Sequence, residues 1–108
     1  MGGLSQMNDE SVPAELLAVR EKIDAIDMQL IELLSARFKL THQVGILKAA
    51  QDLSAFDEQR EADKLSRLQE LCQAQRLNPE LVTELFSRIM QEVVSNHEKL
   101  RQSKSQDT

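Results

Sequence analysis

Along the first half of the chain, apolar residues return every three or four positions: Leu16, Val19, Ile23, Ile26, Leu30 and Leu33, then Leu40, Val44 and Leu47. Such steps lay the side chains along one stripe of a helix, a seam that packs over its whole length. Nothing interrupts the pattern before Gln51-Asp52-Leu53-Ser54, so it predicts a first helix from Ala14 to about Gln51. Ser11 is placed to cap that helix, Pro13 suits its first turn, and the charge of Glu15 suits its N-terminus. At roughly 1.5 Å per residue the helix is very roughly 57 Å long, against a radius of gyration of about 13 Å for a compact domain of this size. Such a rod must protrude or be covered by another chain, and a homodimer is the simplest arrangement.

A short loop leads to Asp57, an N-cap candidate with Glu58 and Glu61 in or near the first turn of a second helix. Leu65, Leu68 and Cys72 supply its inner stripe, and Glu58, Asp63, Lys64, Arg67 and Glu70 read as a solvated face. Asn78-Pro79-Glu80 combines a cap, a first-turn proline and a favourable charge, and so predicts the start of a third helix. Val82, Phe86, Ile89, Met90, Val93, His97 and Leu100 form the apolar stripe of that helix. The expected architecture is all-α: a three-helix subunit with one very long N-terminal helix, in an intertwined homodimer. Residues 1–12 read as a flexible arm, 13–102 as one domain and 103–108 as a polar tail.

Composition agrees with this reading. The 108 residues are 41% hydrophobic and 29% charged, as in an ordinary globular domain, and three Phe, three Gly and two Pro leave little material for strands and turns. A net charge of -5 argues against general nucleic-acid binding, although a local cationic cluster could still hold a small anion. The longest apolar runs are a few residues, so no membrane span is expected, and the start of the chain lacks the pattern of a signal peptide; the expected location is cytoplasmic. Cys72 is the single cysteine and reads as a small buried hydrophobe. With two His and one Cys scattered over three segments, no metal site is expected.

One residue breaks the pattern. Arg37 falls on the apolar seam, where a guanidinium costs several kcal/mol of desolvation unless something anionic meets it. Lys48, eleven positions on, lies about 20° from it around the helix and roughly 16 Å along the axis. Arg20 is about 100° round and roughly 25 Å away, too far to share a pocket within one subunit but able to reach that of a paired helix. Arg60 and Glu61 stand beside Asp57 near free backbone N–H groups, a place for anions and hydroxyls to bind; taken singly, Asp57 and Glu61 read as capping residues and Arg20 and Arg60 as solvated surface charges. Gly45 costs on the order of 1 kcal/mol in a helix interior, which fits a close approach to the backbone there and fits equally a glycine that the helix simply tolerates.

The order Val19-Arg20-Glu21-Lys22-Ile23-Asp24-Ala25-Ile26-Asp27, then Leu33-Leu34 with Arg37, Val44-Gly45 with Lys48, and Asp57 with Arg60-Glu61 resembles the all-helical chorismate mutases. Leu85-Phe86 and Ile89-Met90-Gln91-Glu92 extend the resemblance, which spans about residues 14 to 100. It implies an intertwined homodimer that rearranges chorismate to prephenate, with no cofactor. It implies further that Arg37 and the partner subunit's Arg20 hold the two carboxylates, with Arg60 assisting. Lys48 would donate to the ether oxygen and a nearby carboxylate, and Glu61 would accept the ring hydroxyl, helped by the backbone at Asp57.

Two positions depart from that family's pattern. His97 stands where many members carry a Gln or Glu that donates to the ether oxygen, and Val93 where some carry Ser. A His on an apolar stripe is by default a satisfied core residue, but its register with the family gives it a catalytic role. Isochorismate pyruvate lyase, a mutase of amino-substituted chorismate and a non-catalytic helical dimerisation or regulatory module are the competing readings.

Overall fold

A computed structural model describes residues 12–54 and 57–107. Three helices account for nearly all of them: α1 over Ala14–Ala50, α2 over Glu58–Gln75 and α3 over Pro79–Asp107. No strand is present among the described residues. The predicted all-α class and three-helix order hold. Of the expected arm over 1–12 only Val12 lies within the described residues, and the Ser11 cap lies outside them.

The ends of the helices follow from local chemistry. The Pro13 carbonyl accepts from the N–H groups of Leu16 and Leu17 at 3.0 and 3.2 Å, so Pro13 precedes the first helical turn instead of sitting within it. At the far end of α1, Leu53 N–H reaches back to the Lys48 carbonyl at 2.7 Å and Asp52 N–H to Ala49 at 3.3 Å. This is a Schellman closure, and it requires a left-handed residue, here Asp52 with φ 57°. α2 ends the same way: Arg76 has φ 58°, and Leu77 N–H bonds the Cys72 carbonyl at 2.9 Å. Neither position is glycine. Asp tolerates this region through local hydrogen bonding, while Arg carries the full steric cost.

The two predicted caps within the described residues are formed. Asp57 Oδ1 accepts from Arg60 N–H at 3.1 Å, and Asn78 Oδ1 accepts from Glu80 N–H at 3.0 Å. α3 runs on to Asp107, five residues beyond the 102 at which the domain boundary is drawn from sequence. Its Ser, Lys and Gln residues sustain helix without offering an apolar stripe, so hydrophobic periodicity does not register them.

The chain divides into two compact units, one ending at Arg37 and one beginning at Phe38. In the first, the seam is open to solvent: Leu16, Val19, Ile23, Ile26, Leu30 and Leu33 are between 40% and 67% exposed. In the second, α2 packs on α3, and Cys72 and Met90 are buried with Ala49 and Gly45 of α1. Cys72 is the small buried hydrophobe its position predicts. Asp52 and Arg101 tie the end of α1 to α3 through an ion pair at 3.0 Å.

Asn78→Ala removes the acceptor that starts α3 and should lower stability by about 1 kcal/mol, read from urea unfolding at fixed protein concentration. An unchanged midpoint would show that Pro79 alone sets that helix start.

Candidate functional site

Of the eight candidate residues, Arg20 and Arg37 belong to the first unit and Lys48, Asp57, Arg60, Glu61, Val93 and His97 to the second. Arg20 is exposed on α1. Arg37 is half-buried, and its Nη1 is withdrawn from solvent.

Within the second unit, the first turn of α2 brings three candidates together. Asp57 is committed to capping through its side chain, and its carbonyl accepts Glu61 N–H at 3.0 Å. Glu61 is half-buried, with Oε1 3.9 Å from Lys64 Nζ. Its second oxygen, Oε2, is buried without a hydrogen bond. A carboxylate oxygen in that state is an acceptor waiting for a donor. Arg60 is exposed and shares a groove with Asp63, Lys64 and Arg67, which gives that side of α2 a cationic rim.

Lys48 stands in the last turn of α1, where a cation suits the helix C-terminus, and is half-buried. Val93 and His97 lie one turn apart on α3; Val93 is half-buried and His97 only 4% exposed. His97 Nε2 is 2.8 Å from the carbonyl oxygen of Thr41. A carbonyl only accepts, so this nitrogen carries the hydrogen. The other ring nitrogen, Nδ1, is buried without a partner.

Gly45 makes this contact possible. A Cβ at that position would lie 2.5 Å from His97 Cδ2, 3.1 Å from His97 Nε2 and 2.8 Å from Leu100 Cδ1. The close approach that the helix-interior glycine announced is therefore that of an imidazole edge. Beside the ring, Phe38, Thr41, His42, Glu92, Asn96 and His97 line a pocket of about 270 Å³. Sequence reasoning singled out His97 and Gly45 separately but missed Thr41. Its spacing of four from Gly45 places it on the same face of α1, which was the available signal.

Residues 19–98 match the family model of chorismate mutase type II. The chain is 34% identical over 79 residues to the T-protein of Enterobacter agglomerans, covering 73% of this chain and 21% of that protein. To the bifunctional chorismate mutase/prephenate dehydratase of Escherichia coli (strain K12) it is 39% identical over 87 residues, 81% of this chain and 22% of that protein. A protein of the same name in Buchnera aphidicola subsp. Schizaphis graminum is 33% identical over 86 residues, 80% and 22% respectively. The chain thus spans about a fifth of the length of the curated relatives it matches.

Gly45→Ala tests the imidazole contact. The helix propensity gained is about 1 kcal/mol, whereas overpacking against a pinned ring costs typically about 1–3 kcal/mol. Net destabilisation in denaturant unfolding is expected, and a more stable variant would show that the ring moves aside freely.

Proposed function

The chain belongs to the chorismate mutase type II family, and on that premise we propose that it rearranges chorismate to prephenate in the synthesis of phenylalanine and tyrosine. The observation that carries the proposal is the extent of the family match: residues 19–98 contain Arg20, Arg37, Lys48, Asp57, Arg60, Glu61, Val93 and His97, every candidate site residue. A homodimer, the absence of a cofactor, a lack of nucleic-acid or membrane partners and a cytoplasmic location belong to the same proposal. Among the described residues, no helix is long and apolar enough to cross a membrane.

The reaction asks little covalent chemistry of a protein. Chorismate is a dianion whose ether C–O bond breaks as a new C–C bond forms, through a chair-like transition state with negative charge gathering on the ether oxygen. The enzyme has to fold the substrate into that shape and stabilise the charge. Arg37 and Arg20 of the partner subunit hold the two carboxylates, for which the planar guanidinium fork is suited. Arg60 adds positive potential at the rim. Lys48 donates to the ether oxygen and a neighbouring carboxylate. Glu61 accepts the ring hydroxyl, a role supported by its buried and unsatisfied Oε2. His97 supplies a second donor to the ether oxygen, and Val93 contributes an apolar wall one turn before it.

Chorismate consumption with product identification tests this directly: prephenate is expected, while salicylate and pyruvate from isochorismate would favour the lyase. Arg37→Ala and Lys48→Ala should each lower kcat/KM by about 10²-fold or more, the scale of a lost transition-state donor. His97→Gln should retain much of the activity and His97→Leu lose a large part of it with the fold intact by circular dichroism. Full activity in the Leu variant would remove His97 from the mechanism, and full activity in the Arg37 and Lys48 variants would favour a non-catalytic module.

A further inference from the structure

We infer that α1 holds His97 in a single tautomer, so that this residue assists the reaction only as an imidazolium donating through Nδ1. The inference rests on the chorismate mutase reading and concerns how one member of its site works.

The tautomer follows from geometry. Nε2 is 2.8 Å from the Thr41 carbonyl oxygen, which has no hydrogen to give, so the ring hydrogen of neutral His97 sits on Nε2. The Cδ2–Nε2 edge is seated on the backbone of Gly45, where even a methyl group would meet it at 2.5 and 3.1 Å. With the side chain 96% buried, turning the ring over means giving up the Thr41 bond inside a packed helix contact. Neutral His97 therefore offers only a lone pair at Nδ1, and that atom is buried without a hydrogen bond.

The ether oxygen of the substrate is also an acceptor, and it grows more negative toward the transition state. Two acceptors facing each other repel, so the neutral ring opposes the reaction where Gln at this position would assist it. Protonation reverses this. It places a hydrogen on Nδ1, gives that buried atom a group to donate, leaves the Thr41 bond intact and adds a positive charge to the ring. The proton stays on the ring throughout; only the C–O and C–C bonds change.

His42 of α1 and Glu92 of α3 line the same pocket as His97. The Glu92 carboxylate favours the imidazolium, and a second imidazolium at His42 would oppose it. A bound dianion adds two negative charges and shifts the balance toward the protonated ring. Thr41 and Gly45 are positioning residues here: they fix which nitrogen is available and touch no substrate.

Two readouts test the inference. The first is the pH dependence of chorismate turnover between about pH 5.5 and 8, the range in which imidazoles ordinarily titrate. For the native chain kcat/KM should rise several-fold as pH falls, while His97→Gln, which donates at any pH, should give a flat profile. A flat native profile, or the same rise in His97→Gln, overturns the inference while leaving the mutase reading standing. Absence of prephenate at every pH overturns the mutase reading and this inference with it. The second is ¹⁵N NMR of the imidazoles of the free protein at high pH, with His97→Gln to assign the signal. Hydrogen on Nε2 is expected; hydrogen on Nδ1 overturns the inference whatever the kinetics show.

Discussion

The open seam of α1 is the constraint on which the rest of this protein turns. Six apolar side chains between Leu16 and Leu33 stand at least 40% exposed on a single subunit. Each gains about 1.5–3 kcal/mol from full burial, and a continuous apolar stripe of this length is what marks an interaction surface. The proposed pairing with a second copy would cover it without any further partner. The helix length, which no small globular subunit requires, and the proposed contribution of the partner subunit's Arg20 to each site would then have one cause.

Charge compensation is the second theme. Glu61 has an oxygen buried without a donor. Such an arrangement costs stability in an empty site and is repaid by a ligand with a complementary donor. A ligand hydroxyl supplies that donor. The proposed chemistry needs conformational restriction and electrostatic support, which is what positioned cations and a carboxylate supply. His97 adds a qualification to that scheme, because its available hydrogen is already engaged by Thr41.

Much of the fold was legible in the sequence because its determinants are local. The steps of three and four gave the helices, Asp57 and Asn78 gave two of their starts, and Gln51-Asp52-Leu53-Ser54 gave the end of the first. The last turns of α3 were not legible, since polar residues sustain them without an apolar stripe. The candidate site was legible as a set of residue types in order. What spacing could not convey was the contact between helices: Gly45 was visible as an anomaly and His97 as a departure, but their mutual packing and the Thr41 carbonyl emerge only where α1 meets α3. The spacing of Thr41 from Gly45 marks a shared face of α1, but not which backbone carbonyl on that face meets the ring.

The central claim is that each site draws on two subunits, and mixing inactive variants tests it most directly. Arg20→Ala and Lys48→Ala chains, inactive alone, are unfolded together in equal amounts and refolded. Random pairing makes about half of the dimers mixed, each with one intact site of two, so about a quarter of the native activity should return. Activity no greater than the sum of the two separate variants would contradict a site shared between subunits.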